Sequence, residues 1–242
     1  MANPYFEFQQ FKVYHDRCAM KVGTDGVLLG AWADASKAEM ILDVGTGSGL
    51  IALMLAQRFS ATVHAIDIDE PSCEQAMHNV EASPWSNRMN VRCSSFASFA
   101  SLHAGSYDCV VSNPPFFTDS LQAEDARRHR ARHNDSLSPG ELLEHSKKVL
   151  RKQGLLHVIY PPEEAEFLVE LAMERGWSVA RRCVVFSKPG KPVRRVLLSL
   201  LLGQTECEES QLTLETDERH VHTDAYAALT RNFYLRYREH ND

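Results

Sequence analysis

Short apolar runs recur along the middle of the chain: Met40 to Val44, Thr62 to Asp67, Met89 to Cys93, Tyr107 to Ser112 and Gly154 to Tyr160. Each is bounded by turn or polar residues and has the length of a strand rather than a helix. Between them Leu50 to Arg58, Pro71 to Ala82, Ser138 to Leu150 and Pro162 to Arg175 read as helices, with Pro139 well placed at a first helical position. Trp177 to Phe186 and Val193 to Leu202 read as two long strands joined by Ser187-Lys188-Pro189-Gly190-Lys191-Pro192, with no helix between them. Strands alternating with helices, then two strands in succession, predict an α/β fold. Its sheet is Rossmann-like and mostly parallel, helices cover both faces, and an antiparallel hairpin closes it.

The ends are less regular. Tyr5 to Tyr14 alternates aromatic and polar residues only roughly and suits an edge strand or an arm. Thr24 or Asp25 suits the cap of a short apolar helix over Val27 to Trp32, and Asp224 to Leu235 suits a closing helix. We divide the chain into an N-terminal segment, 1–36, and a main domain, 37–242, as one structural unit.

Composition bounds the environment. At 242 residues and 44% hydrophobic content the chain is of ordinary globular make-up. No stretch approaches the ~18 apolar residues of a membrane span, and the N-terminus lacks a basic region followed by an apolar one. Six scattered cysteines without a CxxC pair read as reduced and structural. A cytoplasmic protein without a metal site is expected. The net charge of −6 argues against nucleic acid, but the charge is segregated. Arg175 to Arg195 holds seven cations and no acid, and Arg127 to Arg132 holds four arginines. Glu206, Glu208, Glu209, Glu215, Asp217 and Glu218 gather elsewhere. Such segregation makes a local positive field conceivable on an acidic chain.

Candidate chemistry sits at the strand ends. Asp43-Val44-Gly45-Thr46-Gly47-Ser48-Gly49 runs from a strand through a glycine turn into a helix. It departs from the G-x-G-x-x-G spacing of dinucleotide binders and has no Lys-Ser/Thr of a phosphate loop. Asp67 closes the next strand, where an acid accepts hydrogen bonds from ribose hydroxyls; Asp69 follows it, strand phase favours Asp67, and the alternative for both is to cap the helix that opens near Glu70-Pro71. Asn113-Pro114-Pro115-Phe116 ends the fourth strand. Proline stiffens that turn, so an amide, a carbonyl and an aromatic ring are held together, as gripping a planar group with an NH2 requires. His129 and His133 lack a third ligand, and no metal is assigned to them.

Together these residues resemble the class I S-adenosylmethionine-dependent methyltransferases. The resemblance implies a seven-stranded sheet with a reversed last strand and S-adenosylmethionine as cofactor. It places Asp43, Gly45, Gly47, Asp67, Ile68, Ser95, Phe96 and Asn113 at the cofactor, with Ser95 standing where relatives commonly carry an acid. Asn113, Pro114 and Phe116 become the catalytic grip on an amino nitrogen. A narrower resemblance covers nearly the whole chain: His15 to Gly26, Ser83-Pro84-Trp85 and Ala225 to Leu235 are similar to the tRNA1(Val) (adenine-37-N6)-methyltransferase family. It implies methylation of an adenine in the tRNA anticodon loop, with Lys21, Gly23 and Thr24 near the cofactor. Arg127, Arg128, Arg130, Arg132, Lys188, Lys191, Arg194 and Arg195 would then face the anticodon stem-loop. Asn-Pro-Pro-aromatic motifs also serve protein glutamine N5, rRNA guanine N2 and DNA adenine methylation. A non-catalytic RNA-binding module on the same fold is a further alternative.

Overall fold

The computed structural model of the chain describes residues 3–18, 21–115, 137–218 and 221–237. Its strands run in chain order as β1 (Tyr5–Glu7), β2 (Lys12–Tyr14), β3 (Met40–Val44), β4 (Thr62–Asp67), β5 (Met89–Cys93), β6 (Tyr107–Ser112), β7 (Leu150–Tyr160), β8 (Trp177–Phe186), β9 (Val193–Leu202) and β10 (Glu208–Thr213). The described α-helices are α1 (Thr24–Trp32), α2 (Leu50–Arg58), α3 (Glu70–Glu81), α4 (Phe96–Leu102), α5 (Pro139–Val149), α6 (Pro162–Glu174) and α7 (Asp224–Thr230).

The central sheet has the order β10-β8-β9-β7-β6-β3-β4-β5. All neighbours pair in parallel except β9, which is antiparallel to both β7 and β8. The expected hairpin is therefore present, but the sheet has 8 strands rather than seven. The eighth, β10, carries a polar sequence with only Leu212 buried, as suits an edge strand. Its Glu208 and Glu209 lie opposite Arg181 and Arg182 of β8, with Glu208 3.6 Å from Arg181. Part of the acidic run thus neutralises part of the cationic run across the sheet edge.

Two apolar cores cover the two faces. On one, α1, α2, Val80 of α3 and Tyr226 of α7 pack on Ile41, Val63, Ala65, Cys109 and Val111. On the other, α4, α5 and α6 pack on Leu42, Val44, Val110, Leu156 and Val158. Alternate residues of a strand point to opposite faces, so parallel strands covered on both sides are apolar throughout. Buried His157 is accommodated by Ser199 directly opposite on β9, at 2.7 Å from Nδ1.

Helix boundaries follow local chemistry. Ser138 and Glu141 form a reciprocal capping box ahead of Pro139. Asp69 caps α3 by accepting from the Ser72 amide. At α1 the helix already includes Thr24 and Asp25, so the cap position falls to Gly23 with no side-chain bond, and Asp25 in the first turn pairs with Arg195 at 3.0 Å. The closing helix ends at Thr230, and a 3-10 turn over Leu235–Tyr237 follows. Residues 5–14 form a two-stranded hairpin rather than a strand of the main sheet. Its Phe8, Phe11 and Val13 join the first core. Gln9 donates to the carbonyls of Arg231 and Tyr234, which ties the N-terminal hairpin to the C-terminal turn.

Helices α1 and α2 approach closely at Gly30, where an added Cβ would sit 2.8 Å from Met54 Sδ and 3.0 Å from Met54 Cβ. Met54 is fully buried. Alanine gains about 1 kcal/mol in helix propensity, but overpacking a core costs about 1–3 kcal/mol. Gly30→Ala should therefore destabilise in urea titration, and Gly30→Ala combined with Met54→Ala should lose less than the sum of the single changes. Additive losses would show that the contact is not the cause.

Candidate active site

The strand order reverses at β3. From it the chain moves to β4 and β5 on one side, then to β6 and β7 on the other. Ligands of open α/β sheets bind outside the carboxyl ends at this switch point. In register, Val44 lies opposite Ser112, and Asp67 lies opposite Cys93. Gly45 and Asn113 thus leave adjacent strand ends, with Ser112 Oγ donating to the Val44 carbonyl at 2.8 Å.

The glycine turn is held from below and from the side. Gly45 and Thr46 donate their amides to the Ile66 carbonyl, and Gly49 donates to Thr46. Gly45, Gly47 and Gly49 have φ of 71°, 54° and 81°, the left-handed region that glycine enters without penalty. A Cβ on Gly45 or Gly47 would meet nothing within 4 Å, whereas one on Gly49 would meet Ala76 of α3 at 3.4 Å. The first two positions offer bare backbone to an approaching group; the third packs on Ala76 and is required by its left-handed φ at the cap of α2.

The two acids of this region have different positions. Asp43 is fully buried; its Oδ2 accepts from Thr46 Oγ1 at 2.6 Å and from the Ala52 amide at 3.2 Å. Burial pushes its carboxyl up to about 7 against these two bonds. Oδ1 has no partner among the described residues. The carboxylate therefore braces the loop from beneath rather than offering itself at the surface. Asp67 is half-buried, with Oδ2 accepting from the Gly47 amide at 2.8 Å and Oδ1 from the Asp69 amide at 3.0 Å. Both oxygens are oriented yet retain lone pairs for hydroxyl donors.

Ile68 next to it is 53% exposed, an open apolar surface at the end of β4. Ser95 caps α4, accepting from the Ser98 amide and donating to Ser98 Oγ. Its hydroxyl is thus partly committed to the helix. The Phe96 side chain is buried in the second core against His145, so only its first-turn backbone amide can face a ligand. Lys21, Gly23 and Thr24 are exposed at the start of α1. Gly26, one turn on, abuts Leu50 at the start of α2, which brings this segment beside the glycine turn. Gly23 and Thr24 also line a cavity of about 600 Å³ with Tyr5, Phe6 and Tyr234.

Asn113 is only partly exposed and Pro114 is buried. Asn113 Oδ1 is buried without a hydrogen-bond partner among the described residues. A buried amide oxygen without a donor costs free energy, and here it stands at the switch point beside Gly45. Phe116 and Arg127, Arg128, Arg130 and Arg132 lie outside the described residues. Of the hairpin cations, Lys188 pairs with Glu215 at 3.5 Å and Arg195 with Asp25 at 3.0 Å. Lys191 and Arg194 are exposed, and neither makes an ion pair among the described residues.

Thr46 and Ser112 were not singled out by sequence, although both fasten the site. Their signal is a short polar residue beside each motif, facing the buried side. No group of side chains suited to a metal ion is present among the described residues. Burial, with Cys93 adjacent, pushes the Cys73 thiol up to about 12, so it is no ready nucleophile. Open backbone at Gly45 and Gly47, an oriented carboxylate, an apolar shelf and an amide oxygen lacking a donor fit a nucleoside-bearing cofactor beside an amino group.

Comparison with known proteins gives the same picture. The model of the methyltransferase small domain family matches residues 20–170. A tRNA1(Val) (adenine(37)-N6)-methyltransferase of Bacteroides fragilis is 46% identical over 237 residues, covering 98% of this chain and 100% of the relative. One of Parabacteroides distasonis is 47% identical over 237 residues, with coverage of 98% and 100%. One of Serratia proteamaculans is 44% identical over 235 residues, with coverage of 96% and 90%. Among solved structures, a predicted O-methyltransferase of Agrobacterium tumefaciens superposes with a TM-score of 0.67 at 19% identity, covering 86% of this chain and 96% of its own. TYW2 of Pyrococcus horikoshii, solved with MeSAdo, gives 0.56 at 15% identity, covering 81% and 69%. The two structures share the fold.

Because Asp43 holds its proton more tightly folded than unfolded, its stabilising contribution is full below about pH 4 and is lost as pH rises through about 7. Asp43→Asn retains an acceptor for Thr46 and Ala52 but cannot ionise. Its urea-unfolding free energy should therefore gain on the wild type as pH rises from about 5 to about 8. A difference independent of pH would contradict the buried carboxyl's raised value.

Proposed function

The chain belongs to the tRNA1(Val) (adenine(37)-N6)-methyltransferase family, and we propose that it transfers a methyl group from S-adenosylmethionine to the exocyclic N6 of adenine 37 in the anticodon loop of that tRNA. The observation that carries the reading is Asn113 Oδ1, buried without a donor at the switch point. An amino group is the donor that such an oxygen lacks.

S-adenosylmethionine supplies a methyl group on a sulfonium, so its leaving group is a neutral thioether. The protein's part is to hold the acceptor nitrogen in line and to exclude water. Adenine N6 is a poor nucleophile because its lone pair is delocalised into the ring. Asn113 Oδ1 and the Pro114 carbonyl accept its two hydrogens, which turns the nitrogen towards tetrahedral geometry and stabilises its growing positive charge. The proton leaves after transfer, when the nitrogen is cationic and acidic, so no base is needed beforehand. Phe116 stacks on the adenine in this reading, worth about 1–3 kcal/mol.

For the cofactor, Asp67 accepts from the ribose hydroxyls and Ile68 lies against the adenine ring. The Phe96 amide, with Ser95 at the cap, reads the ring edge. Gly45 and Gly47 admit the methionine portion, with Lys21, Gly23 and Thr24 on its far side, while Asp43 acts only through the loop. An adenine within a structured loop has to be splayed out to reach this pocket. Arg127, Arg128, Arg130 and Arg132 serve the RNA backbone in this reading. On the hairpin, Lys191 and Arg194 are the better candidates, since Lys188 and Arg195 are engaged with acids.

The deciding experiment is methylation of tRNA from a strain lacking this protein, read by nucleoside mass spectrometry. N6-methyladenosine in one tRNA is expected; tRNA left unmethylated by protein that binds S-adenosylmethionine would refute the assignment. Asn113→Ala should keep S-adenosylmethionine binding within about twofold in calorimetry while turnover falls at least about 100-fold. Undiminished turnover would remove the amino grip. Affinity for tRNA should fall steeply between about 50 and about 200 mM salt, and a flat response would exclude phosphate gripping by the cationic runs.

A further inference from the structure

Helix α3 carries Ser72, Gln75 and Asn79 on one face, at 5%, 3% and 1% exposure. The spacing of three and four residues keeps them in one row. Buried polar side chains on a helix cost free energy unless each is bonded. Ser72 Oγ donates to Asp69 Oδ2 at 2.6 Å, and Gln75 and Asn79 are turned to the N-terminal segment Tyr14–Cys18 that crosses α3. Gln75 Oε1 accepts from the Arg17 amide at 3.2 Å, and the Cys18 thiol contacts Ser72. Asn79 does more. Its Oδ1 accepts from the Tyr14 amide at 2.9 Å, and its Nδ2 donates to the Tyr14 carbonyl at 2.8 Å. The second Nδ2 hydrogen goes to the Ser48 carbonyl at 2.8 Å. Every polar atom of this side chain is used, and it joins three elements.

We infer that Asn79 is a positioning residue for the methyl donor, fixing the glycine turn through Ser48 while fastening Tyr14 over α3. The inference rests on the reading that this turn holds S-adenosylmethionine. Ser48 lies between Gly47 and Gly49, both at positive φ. A peptide flanked by such glycines is free to rotate unless something holds its carbonyl. The direction of the Ser48 carbonyl sets the opposite direction of the Gly49 amide, which donates to Thr46 at 2.9 Å. Asn79 therefore holds the peptide plane that closes the turn. Asp67, through the Gly47 amide, holds the Thr46–Gly47 plane two peptides earlier. Simple packing would be satisfied by any apolar residue of similar volume; a side chain that donates twice and accepts once is needed only if both neighbours must be oriented.

The test is Asn79→Asp, which keeps the acceptor for Tyr14 and sets a carboxylate oxygen against the Ser48 and Tyr14 carbonyls. Asn79→Ser serves under the same criteria if Asn79→Asp fails to fold. The expected result is a rise of about tenfold or more in the Kd for S-adenosylmethionine by calorimetry and in its KM. The kcat at saturating cofactor and the KM for tRNA should stay within about twofold. Amide hydrogen exchange at Gly47 and Gly49 should quicken. Gln75→Met removes the neighbouring bond without touching the turn and should leave the cofactor Kd at the wild-type value. A folded variant with wild-type Kd, whatever its melting temperature, overturns the role of Asn79 alone. Wild-type protein that does not bind S-adenosylmethionine overturns the reading of the turn and the inference with it.

Discussion

The site depends on one pairing: β3 lies parallel to β6 with Val44 opposite Ser112, and the Ser112 hydroxyl bonds the Val44 carbonyl. Strand pairing has a period of two, so a slip by one residue would turn every side chain of β6 to the other face. Here such a slip would put Val110 and Val111 into the wrong cores. The apolar alternation thus fixes the register, and the register fixes the chemistry. It sets bare glycine backbone on one strand end and the amide of Asn113 on the next, with no loop long enough to let them drift apart. Function here rests on hydrophobic burial several residues below the reacting atoms.

Above that pairing the site is built from fastened turns rather than from charged side chains. Four amides of the glycine turn are tied: the Ile66 carbonyl holds Gly45 and Thr46, Asp67 holds Gly47, and the Thr46 carbonyl holds Gly49. Glycine lowers the strain of positive φ but leaves the unfolded chain more freedom to lose. The turn therefore needs these bonds. Asp43 shows the cost of the arrangement: a carboxyl placed at zero exposure to hold Thr46 and Ala52, with its other oxygen unpartnered. Asp67, one strand over and nearer the surface, performs the same bracing and keeps capacity for a ligand.

Much of this was readable in the sequence. The α/β alternation, the boundaries of β4 and α2, the hairpin and the convergence of Gly45, Asp67 and Asn113 all follow from patterns within a few residues. What was missed depends on partners far along the chain. Strand β10 has no apolar pattern of its own and is seen only once its register beside β8 sets Glu208 and Glu209 opposite Arg181 and Arg182. The cationic run read as a free field, yet Lys188 and Arg195 are taken by Glu215 and Asp25. Phe96 is placed by the site motif but packed by the core. Asn79 reads as an ordinary polar helix residue until Tyr14 and Ser48 are brought against it.

The charge segregation then takes a different meaning. An acidic chain that binds RNA has to keep its cations from being consumed by its own acids. Here Glu208, Glu215 and Asp25 each bind a cation of the Arg175 to Arg195 run, while Lys191 on the turn after β8 and Arg194 at the start of β9 stay exposed. The carboxyl end of β8 is the same edge of the sheet at which Gly45, Asp67 and Asn113 emerge, because β8 runs in the direction of β7 and β6. Exposed pairs are worth little to stability, about 0–1 kcal/mol. Their larger consequence is to leave Lys191 and Arg194, unpaired among the described residues, as cations at the edge where the strands end.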